Sequence, residues 1–265
     1  MRMIAANGVG LHWREDGDPA GRPVVFANSL GTDLRLWEAV LPLLPKGLRL
    51  IRYDMRGHGL SDCPTAAYAM ADLVDDAEAL LDGLGITDCV FAGLSIGGMV
   101  AQGLAARRPD LIRALVLSNS AAKMGDAALW QARIDAIKAG GLEVMADAVM
   151  ERWFSPAFRA RPELALWRNM LTRTPVTGYL GCCHAIAGAD LAASTRALTL
   201  PTLALAGGED GASPPDLVRA TAAMIPGSRF AVIEGAGHLP CVEAPGPYAA
   251  LLDTFLKETA HVRPL

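Results

Sequence analysis

The chain has 265 residues, 52% of them hydrophobic and 20% charged, which suits one large domain, or one domain with an insertion, around a substantial core. A net charge of −4 without a basic stripe argues against a nucleic-acid binder. No apolar stretch is long enough to span a membrane, and the N-terminus turns polar too early for a signal peptide, so the expectation is a cytoplasmic protein.

In chain order, Met3 to Ala6 and Leu11 to Arg14 flank Asn7-Gly8, a strong turn signal, and predict a hairpin. Short continuous apolar runs follow at Pro23 to Asn28, Leu48 to Tyr53, Cys89 to Leu94, Ala114 to Leu117, Thr202 to Ala206 and Phe230 to Ile233. Runs of this length without alternation read as strands buried on both faces. Helical patterns lie between them at Leu34 to Leu44, Met70 to Leu84, Met99 to Arg107, Pro215 to Met224 and Pro247 to Lys257. Such alternation predicts an α/β fold, with a mostly parallel sheet flanked by helices.

From about Lys123 to Leu198 the alternation stops. Gly125 to Ala139, Leu142 to Trp153, Glu163 to Thr172 and Gly178 to Ala187 have helical spacing, and no convincing strand intervenes. This segment, with Trp130, Trp153 and Trp167, reads as a helical cap inserted between sheet strands. Residues 1–122 and 199–265 form the expected core and 123–198 the expected cap. Ligands of open α/β sheets bind at the C-terminal edge, where a cap would exclude water.

The five cysteines are Cys63, Cys89, Cys182, Cys183 and Cys241, an odd number that favours free thiols. Cys182-Cys183-His184 lacks the ligand spacing of a tetrahedral metal site. Two buried side chains on a helix, and no metal, are expected there.

Chemistry points first to Gly93-Leu94-Ser95-Ile96-Gly97. The five-residue pattern alone is short. Its setting gives it weight, because a strand-like run enters it and a helix-like run leaves it, as a nucleophile elbow requires. The Ser95 hydroxyl would stand above the sheet, with the Ile96 amide aimed where an oxyanion forms. A serine needs a base and a group to orient that base. His238, in the loop after the last predicted strand, is the expected base. Asp210 is the expected acid, in the loop after Leu203-Ala204-Leu205-Ala206, with neighbouring Glu209 as its competitor. The shorter aspartate side chain addresses an imidazole more rigidly. The second oxyanion amide is expected from Leu30, in the loop Asn28-Ser29-Leu30-Gly31-Thr32. Asp54 and Arg56, in a glycine-rich loop, read as structural support. This chemistry calls for no cofactor.

Asp54-x-Arg56-Gly57-His58-Gly59-x-Ser61, Gly93-Leu-Ser-Ile-Gly-Gly98, the acid loop and Gly235-Ala-Gly-His238 resemble the α/β-hydrolase superfamily over most of the chain. Longer strings resemble its 3-oxoadipate enol-lactonases: Gly93 to Pro109, Leu117 to Lys123, Trp130 to Asp135 and Gly178 to Gly188. The resemblance implies hydrolysis of 3-oxoadipate enol-lactone in aromatic (β-ketoadipate pathway) catabolism. That lactone carries a free carboxylate, for which Arg133 is the expected cation, with Trp130 on the same helix face. Lys123 and Arg152 are alternatives. Competing readings are a general carboxylesterase or perhydrolase, a carbon–carbon bond hydrolase, and a non-enzymatic ligand receptor of the same fold. The expected partner is the small lactone alone, without nucleic acid or membrane; the sequence carries no signal for oligomeric state.

Overall fold

The computed structural model describes residues 1–259 and 261; the last positions of the expected core, 260 and 262–265, lie outside the described residues. The N-terminal hairpin pairs β1 (Arg2–Ala6) with β2 (Val9–Gly17). Asn7 (φ 49°) and Gly8 (φ 74°) both take the left-handed backbone that a two-residue turn between twisted strands demands. Then come β3 (Arg22–Ala27), β4 (Leu48–Tyr53), helix α1 (Met70–Gly83), β5 (Cys89–Leu94), α2 (Ile96–Arg107) and β6 (Ile112–Ser118). Six helices follow without a strand: α3 (Ala127–Gly140), α4 (Glu143–Trp153), α5 (Pro156–Arg159), α6 (Leu164–Thr172), α7 (Val176–Ala187) and α8 (Ala192–Arg196). The chain returns to the sheet with β7 (Thr202–Gly207), α9 (Pro215–Ala222), β8 (Arg229–Ile233), α10 (Pro240–Glu243) and α11 (Pro245–Glu258).

One eight-stranded sheet has the order β1-β2-β4-β3-β5-β6-β7-β8. From β4 to β8 neighbouring strands in the sheet pair parallel, while β2 pairs antiparallel with both β1 and β4. The mostly parallel α/β fold is therefore as the apolar runs predict. β5 and β7 are buried along their whole length, which is why they lack polar alternation. Among the helices α3 packs on α4 and α7, and α4 on α6, while α7 meets α1 and α8 meets α2. The insertion is thus seated on the core through two helix pairs.

One element departs from expectation. Leu34 to Leu44 is not a helix but two short 3-10 turns, Leu34–Trp37 and Leu41–Leu43. Pro42 and Pro45 remove backbone donors. The first turn is pinned by side chains instead. Asp33 accepts from the Arg35 N–H at 3.0 Å, and Asp54 accepts from the Leu34 N–H at 2.7 Å.

Register is what builds a site. Ala27 of β3 faces Gly93 of β5, Leu94 faces Ser118 of β6, Ser118 faces Leu205 of β7, and Gly207 faces Ile233 of β8. The loops leaving these strands start level at one edge. The strand order changes direction around β3, so this edge is also where an open sheet forms its ligand crevice.

Candidate active site

Ser95 occupies the turn between β5 and α2 with φ 57° and ψ −119°. A non-glycine residue held there stores about 1–3 kcal/mol of strain, which the surroundings must impose. They do so from both sides. The Ser95 N–H donates to the Ser118 carbonyl at 2.9 Å, and the Ser95 carbonyl accepts from the Ser120 hydroxyl at 2.7 Å. The flanking glycines permit the packing. A Cβ on Gly93 would collide with the Gly97 backbone, and one on Gly97 with the carbonyls of Ala27 and Asn28. The oxyanion loop and the elbow are therefore in van der Waals contact only because position 97 has no side chain.

His238 and Asp210 are brought together. Nδ1 of His238 lies 2.8 Å from Oδ2 of Asp210, with both side chains buried. That bond commits Nδ1 and leaves Nε2 as the ring nitrogen free for other partners. Oδ1 of Asp210 accepts from the N–H groups of Ala212 (2.7 Å) and Ser213 (2.9 Å). Burial by itself would raise this carboxyl, but the His238 charge and hydrogen bonds from His238, Asn119 and Ser213 outweigh it and hold Asp210 below the usual aspartate range. Glu209 is exposed, and its own backbone N–H is tied to Ala236. Of the two candidates, Asp210 meets the histidine. Nor does Asp210 cap α9, whose N-cap is Pro214.

Leu30 and Ile96 are buried at adjacent loop starts, and neither backbone N–H finds an acceptor among the described residues. The loop carrying Leu30 is braced from beneath. The Asn28 amide donates to the Tyr53 carbonyl and accepts from the Trp37 indole, each at 2.8 Å. The Gly31 N–H donates to Nε2 of His58 at 3.0 Å. Burial pushes His58 down to about 4, so its ring is neutral at pH 7 and can accept. Asp54 accepts from the N–H groups of Leu34 and Leu60 and lies 2.7 Å from Nδ1 of His12. Arg56 makes a bidentate pair with buried Asp76 at 2.6 and 2.5 Å. The glycine-rich loop after β4 thus serves as scaffold, in the role its sequence suggested.

In the helical insertion, the Arg133 guanidinium stacks 5.3 Å from the Trp130 ring and 5.7 Å from that of Tyr179. The Trp130 indole donates to the Met124 carbonyl at 2.6 Å. Tyr179 in turn covers the oxyanion loop: a Cβ on Gly31 would meet its Cε2 at 3.0 Å and the Trp153 ring at 3.4 Å. Lys123 is exposed and pairs with Asp190 at 3.0 Å, away from this cluster. Cys182 and Cys183 are buried on α7 with their thiols pushed up by burial, to about 12 for Cys183. Among the described residues no group of three His, Cys, Asp or Glu is placed to hold a metal.

Three supports were not foreseen. Asn119, the first residue past β6, donates from Nδ2 to Oδ2 of Asp210 at 2.8 Å. Glu243 accepts from the Gly237 N–H at 2.6 Å and from the Ser155 hydroxyl, also at 2.6 Å. The His238 N–H donates to the carbonyl of Trp153, the last residue of α4, at 2.8 Å. Of these only Asn119 left a trace in the sequence, since it lies just past the predicted strand Ala114 to Leu117, at the same edge as the other loops.

Residues 22–245 match the profile of the alpha/beta hydrolase fold family. The chain is 32% identical to a protein named 3-oxoadipate enol-lactonase 2 from Acinetobacter baylyi, over 96% of both chains. Among solved structures it is similar to the enol-lactonase from Burkholderia xenovorans LB400 (35% identity, TM-score 0.93, 97% of this chain and 100% of that one). It is also similar to a thermophilic esterase from Thermogutta terrifontis in a malate-bound form (28% identity, TM-score 0.91, 98% and 99%).

Proposed function

Since the chain belongs to the α/β-hydrolase family and is a hydrolase, we propose that it opens 3-oxoadipate enol-lactone to 3-oxoadipate through Ser95, His238 and Asp210. The observation that carries the reading is the His238–Asp210 pair at 2.8 Å, set at the same sheet edge as the strained Ser95 turn. Asp210 fixes the ring and stabilises the imidazolium as it forms. Nε2 of His238 takes the Ser95 proton while Oγ attacks the lactone carbonyl. The N–H groups of Leu30 and Ile96 bind the oxyanion; each such donor is worth roughly 2.7–4 kcal/mol of barrier lowering.

Collapse of the tetrahedral intermediate breaks the ring C–O bond. The enol oxygen leaves with the proton from His238, which restores the neutral imidazole, and the enol becomes a ketone. It stays tethered, because ring oxygen and acyl carbon belong to one molecule. His238 then deprotonates a water, which adds to the acyl carbon and releases Ser95. The net change is addition of one water. Residues 123–198 act as the cap over this chemistry. Arg133, set over the Trp130 ring, receives the substrate carboxylate.

No helix among the described residues is long and apolar enough to cross a membrane. A cytoplasmic site of action belongs to the proposal. The deciding assay follows opening of the enol-lactone beside hydrolysis of phenyl acetate, a neutral ester. The lactonase reading expects kcat/KM at least a hundredfold higher on the lactone. Comparable values would favour the general esterase reading, which the likeness to the Thermogutta terrifontis esterase supports.

A further inference from the structure

Among the described residues Arg133 and Arg152, two of the arginines in the helical insertion, make no ion pair, unlike Arg159 and Arg168. Arg152 is half-buried near the end of α4, and among the described residues the charged or titratable groups acting on it are Arg133 and Tyr179. Burial and the neighbouring Arg133 charge lower its proton affinity, the reverse of what a carboxylate neighbour would do. Arg133 is likewise half-buried, with its Nε buried and unpartnered. Among the described residues the Tyr179 hydroxyl, also buried, has no partner, and the Tyr179 ring is fully enclosed. Like charges brought together in a partly dry site, beside an unsatisfied hydroxyl, are costly unless an anion completes them.

The cluster is fixed relative to the reacting edge. Arg152 lies against the acid loop, where a Cβ on Gly211 would meet its Cα at 3.2 Å and its Cγ at 3.4 Å, and its carbonyl accepts from the Gly211 N–H at 3.2 Å. Tyr179 lies over Gly31 of the oxyanion loop. The three groups therefore bridge from the acid side to the oxyanion side of the site.

We propose that Arg133, Arg152 and the Tyr179 hydroxyl together form a clamp for the free carboxylate of the substrate, so that Arg152 selects acidic over neutral substrates as much as Arg133 does. The assignment rests on the lactone reading above and adds to it the group that enforces the acidic substituent. A planar guanidinium offers paired donors to a carboxylate, and two of them with a phenol saturate both its oxygens.

The test compares wild type with Arg152→Ala, Arg152→Lys and Tyr179→Phe on the enol-lactone and on phenyl acetate, with succinate as inhibitor. For Arg152→Ala the ratio of kcat/KM between lactone and phenyl acetate falls at least thirtyfold, mainly through KM, and succinate no longer competes. Arg152→Lys, which keeps the stem on Gly211, restores part of the ratio. Tyr179→Phe raises KM for the lactone severalfold. Equal losses on both substrates, or succinate inhibition as strong in Arg152→Ala as in wild type, overturn the clamp. A wild type that ignores the lactone but is inhibited by succinate only while Arg152 is present keeps the clamp and rejects the lactone.

Discussion

Asn119 and His238 share one oxygen: Nδ2 of the asparagine and Nδ1 of the histidine each lie 2.8 Å from Oδ2 of Asp210. The carboxylate is thus oriented by the residue that follows β6 as well as by its own loop. A hydrogen bond to a charged group is worth about 1.5–3 kcal/mol, which corresponds to roughly a ten- to hundredfold change in rate. Asn119→Ala should lower kcat by that factor with KM nearly unchanged. Steady-state kinetics on any accepted ester measures it. An unchanged kcat would mean that Asn119 does not steady the acid.

Ser95 separates activity from stability. Ser95→Ala should abolish turnover while the circular dichroism spectrum stays that of wild type; retention of a tenth of the activity would remove Ser95 as nucleophile. Ser95→Gly should be equally inactive yet more stable, by about 1 kcal/mol, because glycine adopts φ 57° without strain. A denaturation midpoint below that of wild type would show that the turn is not strained.

The depressed Asp210 carboxyl ties stability to pH. A carboxylate whose folded pKa lies below its unfolded value adds stability that is fully present above the unfolded pKa, about 3.9, and lost as pH falls through the folded one. Asp210→Asn removes this contribution. Thermal midpoints of wild type and variant, measured from pH 6 to pH 2, should therefore converge as the solution is acidified below about 3.9. A gap that stays constant or widens over that range would contradict the lowered pKa.

Gly97→Ala probes the contact between elbow and oxyanion loop. The added methyl has no room beside the Ala27 and Asn28 carbonyls, and the neighbours are backbone. Overpacking of this kind costs about 1–3 kcal/mol. Displacing the Asn28–Leu30 segment should also lower kcat at least tenfold. Wild-type kinetics in this variant would separate the Leu30 amide from the reaction.

Much of this architecture is legible in the residue order. Cys89–Leu94 is an unbroken apolar run because both faces of the strand are covered, whereas Leu48–Tyr53 also carries Arg49 and Arg52, which pair with Glu15 and Asp16 of β2. Ser95, Asp210 and His238 stand out because each follows a strand end. Asn119 has the same address, but an amide carries no catalytic signature of its own, so its role emerges only when β6 is seen between β5 and β7. The segment after Asp33 misleads because its leucines keep helical spacing while two prolines and Asp54 dictate tighter turns. Glu243, Ser155 and the Trp153 carbonyl are joined across large sequence separations, and one of the bonds is made by main chain. Arg152 enters the sequence reading only as an alternative to Arg133; its distance from acids is a property of the folded chain.

The end of α4 is stitched to the reacting loops at three points: Trp153 to His238, Ser155 through Glu243 to Gly237, and Arg152 to Gly211. That corner cannot lift without dragging the imidazole with it. Main chain and one carboxylate thus lock the helical insertion to the loops that carry His238 and Asp210. Beside that corner Trp167 packs 6.0 Å from Phe154 and lines a groove of about 890 Å³ that runs to the turn at Thr32 to Leu34. A substitution at Ser155 or Glu243 would therefore reach the imidazole through main chain alone.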